Sequence, residues 1–320
     1  MLSKFVIPNN ISRFEKCVLY NKNKNINNLY LKLKPNLFDV SLRDGLQSLN
    51  KEQQEKFSLF EKKLLFHNIV LNQQPKSIEI GSIVSNKILP VFHDTLDLHD
   101  YVINYNKYLL IDKPNFYILI PNKENLKKII NNLTINNFSL ITSVSNSFQY
   151  KNTKMSLKEG DQEIYNILYQ FEENVNRKTK PNIKLYVSCI NECPIEGKID
   201  NDFIVNRILM LNKMNVDNIC LSDTCGSLLL EDFEYIVESC IFFGLEPSKI
   251  SLHLHVKPGR EDIVESIIHK AFDFKINNFD VSILESGGCS VTMDKDNLSP
   301  NLSYELFYKS LYNYILKKTN

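Results

Sequence analysis

Eight short runs of β-branched and aromatic residues recur along this chain, and they limit its fold more than any other feature. They read "LFDVSL", "SIEIGS", "FYILIP", "FSLITSVS", "KLYVSC", "NICLSD", "ISLHLH" and "FDVSIL". Most of the stretches between them are amphipathic. After the first run, Phe57, Phe60, Leu64, Phe66 and Ile69 fall near helical spacing among Lys and Glu, and after the fifth Ile204, Ile208 and Leu211 do the same. "LLLEDFEYIVESCIFFG" predicts a helix closed by Gly244, and "EDIVESIIHKAFDF" predicts another. Strand alternating with helix is the pattern of a parallel sheet with crossover helices, and eight such units close a (β/α)8 barrel. An open doubly wound sheet is the rival. It would favour a Gly-rich turn after the first strand, whereas the chain has nine glycines and no GxGxxG or GxxxxGK. The expectation is an α/β fold: a single-domain TIM barrel over residues 35–320 with a C-terminal helical extension, preceded by a flexible N-terminal extension over 1–34.

Bulk properties narrow the function classes. The chain has 320 residues, 43% of them hydrophobic and 23% charged, with a formal net charge of +1. That composition is globular and gives no long-range electrostatic reason to bind nucleic acid. No apolar run reaches the roughly 18 residues of a membrane helix, so no membrane partner is expected. The seven cysteines (Cys17, Cys189, Cys193, Cys220, Cys225, Cys240, Cys289) are odd in number and scattered. They read as reduced thiols of an intracellular protein, cytoplasmic or alternatively mitochondrial. Glu15 is the only acidic residue in the first 35. A transit peptide would favour Arg and Ser, but Lys and Asn dominate here, which argues against a cleaved leader. The tail, "KKTN", is no peroxisomal address.

In a TIM barrel the chemistry lies where the strands end at the C-terminal face. Those ends carry Arg43 and Asp44 on strand one, Glu79 on strand two, Asn122 on three and Ser145 on four. Cys189 ends strand five, Asp223 and Thr224 strand six, and His253 and His255 lie on seven, before Gly287-Gly288-Cys289. Residues two apart on a strand face the same way. Leu252 and Leu254 therefore face the helices while His253 and His255 point into the mouth. Two imidazoles with Asp44 form a two-His, one-carboxylate set suited to Mg2+, Mn2+, Fe2+ or Zn2+. Arg43 and Asp44 must leave the regular strand to share one pocket, and Gly45 would ease that bend. Arg43 beside a metal makes a clamp for a developing oxyanion. Cys289 reads as a loop thiol carried over the site as acid or base. Glu79 and Asp223 would be costly in apolar strands unless paired. The plainer alternatives are two solvated histidines, a simple Arg43–Asp44 ion pair and an incidental loop thiol. Cys189 and Cys193 lack a second ligand pair, so zinc is not expected there.

These segments resemble a family. "SLRDGLQS", "SIEIGSIVSNKILP", "VSNSFQYKNTKMS", "YVSCINECPIEGKI", "LSDTCG", "HLHV" and "SGGCS" are similar, in order, to the motifs of 3-hydroxy-3-methylglutaryl-CoA lyase, a member of the metal-dependent lyase and Claisen-synthase barrels. The likeness covers roughly residues 35–315, and Leu46 with the fifth-strand segment favours the lyase branch. It implies a divalent metal, Mg2+ or Mn2+, held by Asp44, His253, His255 and Asn301, with Asn297 as rival for the last place. Arg43 would hold the thioester oxygen, Glu79 and Asp223 would support it, and Cys289 and His253 would act in catalysis. Gln47, Asn122, Ser145 and Thr224, with Arg43, would contact an acyl-CoA substrate. The implied reaction is retro-Claisen cleavage to acetyl-CoA and acetoacetate, in a possible homodimer. A Claisen synthase or aldolase, and a barrel that binds acyl-CoA or a protein without turnover, are the alternatives. The chain departs from the family at Ser48 and Leu49, at Val256 after the histidines, and in the longer, charged "SVTMDKDNLSP" after Cys289.

Overall fold

The computed structural model describes residues 24–108 and 113–319. The first 23 residues, and with them Cys17 and any leader, lie outside the described residues, as does the last residue of the tail. Eight of the predicted runs form β1 (Asn36–Asp39), β2 (Ser77–Ser82), β3 (Asn115–Leu119), β4 (Asn137–Ser143), β5 (Asn182–Ser188), β6 (Asn218–Asp223), β7 (Ile250–Leu254) and β8 (Asn278–Val281). Each strand pairs in parallel with its neighbours in chain order, and β1 pairs with β8 through Asn36–Asn278 to Asp39–Val281, so the sheet closes. This is the (β/α)8 TIM barrel. The predicted helices appear as Leu230–Phe242, followed by Gly244 at φ +96°, and as Glu261–Asp273. A two-residue hairpin, Glu192–Cys193 with Gly197–Lys198, stands beyond β5.

Alternation along the strands divides the interior into two regions. Ile78, Phe116, Phe138, Leu185, Leu252 and Phe279 face outward and join the large apolar layer between sheet and helices. The inward positions are different. Leu119, Tyr186 and Cys220, with Ile141, form a small separate cluster. Phe38, Glu79, Lys184, His253 and Asp280 share the same space. Bulky branched aliphatics usually fill a barrel of this size, whereas here polar and ionisable side chains occupy much of it.

The first and last of the described helices lie together outside the sheet. Lys24–Leu33, the last part of the expected N-terminal extension, is a helix whose Ile26, Tyr30 and Leu33 are buried. It packs against the C-terminal helix Tyr304–Thr319. That helix, in turn, is the eighth of the ring: Phe307 packs on Phe272 and Phe279, and the Tyr304 hydroxyl donates to Asp39 Oδ2 at 2.9 Å. No helix among the described residues is long and apolar enough to cross a membrane.

Candidate active site

β1 stops at Asp39, and Ser41–Gly45 continue as one wide π-helical turn. Such turns often mark functional sites. The Asp39 carboxylate accepts from the Ser41 amide at 2.9 Å and starts the turn. As expected, Arg43 and Asp44 leave the strand and are both buried at the barrel mouth. Gly45 acts differently from the expectation. Its φ is not in the left-handed region, but a Cβ there would stand 3.0 Å from Leu284 Cδ1, so the glycine permits close packing. Arg43 Nε donates to Glu79 Oε2, and Nη1 donates to Asp44 Oδ1 at 2.6 Å. The Tyr186 hydroxyl donates to the same Glu79 oxygen at 3.1 Å, and its ring lies 5.0 Å from the guanidinium. Glu79 Oε1 is buried with no hydrogen-bond partner.

The two histidines converge from β7 and the residue after it. Their Nε2 atoms are 3.2 Å apart, and His253 Nε2 lies 3.9 Å from Asp44 Oδ2. Each ring is tied through its other nitrogen. His255 Nδ1 donates to the Ser299 carbonyl at 2.9 Å, and His253 Nδ1 faces Asp280 Oδ2 at 3.1 Å. Burial, reinforced by neighbouring His253, pushes the His255 pKa down to about 4, so the ring is neutral near pH 7. With Nδ1 given to the Ser299 carbonyl, the neutral His255 ring turns its Nε2 lone pair toward His253 and Asp44. Burial alone would raise the Asp44 carboxyl, but Arg43 and the histidines outweigh it and hold it well below the usual carboxylate range. Asp280 is likewise held below that range, since Lys184 and His253 outweigh its burial.

Asn301 completes the group. Val256 and Leu302 amides bond across to Pro300 and Leu254 carbonyls, pinning Asn301 beside His255. Its Nδ2 donates to Asp44 Oδ2 and to Ser286 O, both at 3.0 Å, while its Oδ1 is buried without a partner. A Cβ on Gly287 would stand 2.6 Å from Asn301 Nδ2, so the glycine makes the cradle for this side chain. Asp44, His253 and His255 offer ligand atoms within 4.8 Å of one another. Two converging ring nitrogens, an orphaned amide oxygen and an ionised carboxylate fit a divalent cation. Asn297, the rival, is exposed.

The loop after β8 is held over this group. The Gly288 amide donates to Asp44 Oδ2 at 2.9 Å, Ser290 Oγ to Gln47 O at 2.7 Å, and Lys151 Nζ to Thr292 O at 3.0 Å. Cys289 lines a cavity of about 590 Å3 together with Arg43, Asp44, Tyr186 and both histidines. Burial pushes its thiol pKa up, so the sulfur stays protonated near neutrality.

Other expected site residues divide. Gln47, Asn122 and Thr224 line the cavity. Asn122 Oδ1 and Thr224 Oγ1 are already used, accepting from the Asn125 and Cys189 amides. Ser145 is not among the cavity-lining residues: its hydroxyl accepts from the Phe148 amide and donates to Cys193 Sγ, both at 3.0 Å, as a helix cap. Asp223 does not converge on the mouth either. Ser222 pairs with His253 and shares its inward face, which turns Asp223 outward to accept from the Ser227 and Leu228 amides at 3.1 and 3.0 Å. Burial pushes its pKa up to about 6 there. Sequence reasoning missed Asp280, Lys184 and Tyr186. Asp280 and Lys184 were visible as charges inside apolar runs, but nothing local pairs them.

No protein-family model matches the chain. It is 25% identical over 256 residues to the cytoplasmic 3-hydroxy-3-methylglutaryl-CoA lyase of Rattus norvegicus, a match spanning 79% of this chain and 68% of that protein. The corresponding human protein is 26% identical over 256 residues, of which the chain spans 63%. Its fold is similar to that of the HMG-CoA lyase from Brucella melitensis, with a TM-score of 0.70 at 18% identity over 87% of this chain and 90% of that one. An HMG-CoA lyase from Acinetobacter baumannii, solved with coenzyme A and 3-methylmalate, gives 0.66 at 21% identity over 88% of each chain. In sequence and in fold the chain is thus similar to 3-hydroxy-3-methylglutaryl-CoA lyases.

Proposed function

We propose that the protein cleaves a 3-hydroxy-3-methylglutaryl-CoA-like thioester to acetyl-CoA and acetoacetate, with Mg2+ or Mn2+ held by Asp44, His253, His255 and Asn301. The observation that carries this reading is that one π-helical turn after β1 presents Arg43 beside Asp44, a member of that ligand group. When bound, a divalent cation would lower the pKa of the C3 hydroxyl and polarise the oxygens it meets. Arg43 supplies the opposite pole. Glu79 and Asp44 engage Nε and Nη1 and fix the guanidinium plane, which leaves Nη2 for the thioester oxygen. The C3 hydroxyl gives its proton to solvent and its oxygen becomes the ketone of acetoacetate; as C2–C3 breaks, the bond's electron pair passes to C2 and the thioester becomes an enolate, whose oxygen Arg43 stabilises. Cys289, protonated at the cavity wall, is placed to return a proton to C2. The cavity is of the size that takes a small-molecule ligand, and Lys151 and Lys154 at its rim suit the phosphates of a coenzyme A tail. The coenzyme A complex of the Acinetobacter baumannii enzyme supports the same substrate class.

The test is incubation of purified protein with HMG-CoA and Mg2+ or Mn2+, read by mass spectrometry. Acetyl-CoA and acetoacetate in equal amounts are the expected products. Metal binding without cleavage would overturn this reading, and carbon–carbon bond formation from acetyl-CoA and a keto acid would replace it with a synthase.

A further inference from the structure

Lys184 has no part in the chemistry described so far, yet it is 3% exposed inside the barrel, below the mouth. Its ammonium sits 3.5 Å from the centroid of Phe38 and 4.7 Å from that of Tyr186, and it forms an ion pair with Asp280 Oδ1. The other Asp280 oxygen faces His253 Nδ1, and Cys220 Sγ donates to that same oxygen at 3.7 Å. A buried ion pair is seldom retained for stability, because desolvation offsets much of the attraction. Its placement here suggests another role. Carboxylates behind a metal-binding histidine fix its tautomer and ring orientation.

We infer that Lys184, acting through Asp280, is a positioning residue that holds His253 with its proton on Nδ1 and its bare Nε2 aimed at the metal position. The inference rests on the metal reading of Asp44, His253 and His255, and not on any particular substrate. With one carboxylate oxygen bound to Lys184, the Asp280 plane is set and the second oxygen meets Nδ1. Without Lys184 the carboxylate is free to turn and His253 loses its fixed acceptor. Lys184 is itself neither a candidate ligand nor a cavity-lining residue.

Lys184→Met keeps most of the volume and removes the charge. Partners behind metal-binding histidines typically change metal affinity about 10–100-fold. Mn2+ titrated into the substrate-free protein by calorimetry should bind roughly 10–100-fold more weakly in Lys184→Met and in Asp280→Asn. The double variant should lose little more than either single one, because the two act in series. Unchanged Mn2+ affinity in folded Lys184→Met would overturn the inference and leave Lys184 as a core ion pair. Should the variants fail to fold, 15N chemical shifts of the His253 ring in the wild type decide. A protonated Nδ1 with bare Nε2 is expected, and the opposite tautomer overturns the proposal. Neither readout needs turnover, so a protein that binds Mn2+ with this tautomer but cleaves nothing would refute the lyase reading alone.

Discussion

Arg43 is over-determined for an ordinary ion pair. Two carboxylates and an aromatic face hold one guanidinium at the mouth. Such fixation is useful where charge appears on a substrate and no reorganisation can be tolerated. Removing a preorganised oxyanion donor typically costs about 3–4 kcal/mol, roughly a hundred- to thousand-fold in turnover. Arg43→Gln and Arg43→Lys should therefore retain Mn2+ binding and fold while losing most of the cleavage rate, since Lys lacks the planar fork. Near-wild-type kcat in Arg43→Gln would show that the residue only neutralises its neighbours. The residue scale is also where reading from sequence was least complete. His253 and His255 were legible because strand parity places them, and Arg43 because it ends the first apolar run. Asp223 was not, because its facing depends on the register of β6 against β7, which places Ser222 and not Asp223 opposite His253. Lys184 and Asp280 lie 96 residues apart, and only the closed barrel joins them.

At the scale of elements, two local devices give separate predictions. The Gly287 cradle presses on Asn301 without any need for left-handed backbone. Gly287→Ala should displace the amide and weaken Mn2+ binding several-fold with little change in Tm. Equal affinity in the variant would show that Asn301 is not a ligand. The second device is the Asp39–Tyr304 link between β1 and the C-terminal helix. Burial pushes the Asp39 pKa up to about 7, despite three hydrogen bonds that favour the carboxylate. A folded-state value above the unfolded one means that the folded protein holds its proton longer. Stability from this group is therefore full at acid pH and is lost as pH rises toward about 7. Across that window the loss is on the order of 1–4 kcal/mol. Asp39→Asn cannot titrate, so in urea melts it should gain relative to wild type between pH 5 and pH 8. The same difference at both pH values would refute the shift. The eight strands themselves were legible, since alternating runs and amphipathic spacers leave few other solutions. The early end of β1 was not, because a π-helical turn has no residue signature distinct from a strand continuing through "VSL".

The barrel is one closed ring with ion-paired side chains inside it. A cation that binds only the folded state stabilises it by RT ln(1 + [L]/Kd), about 2.7 kcal/mol at a hundredfold excess over Kd. Saturating Mn2+ should raise Tm by a few degrees, and His253→Ala with His255→Ala should abolish that rise without lowering the metal-free Tm much. An undiminished rise in the double variant would place the metal elsewhere.

Asp44, His255 and Asn301 belong to the seam where the first strand meets the last two. Asp44 and Asn301 touch although 257 positions separate them. A loop that long is closed late, because its entropy is lost before its contacts form. Until β8 docks on β1 there is no place for an ion to sit, and once it has docked the ion clasps both edges. Metal-dependent slowing of amide exchange should then concentrate along β1, β7 and β8, far from β4. A bound cation in this protein would serve as a latch on ring closure, reporting that the last strand has found the first.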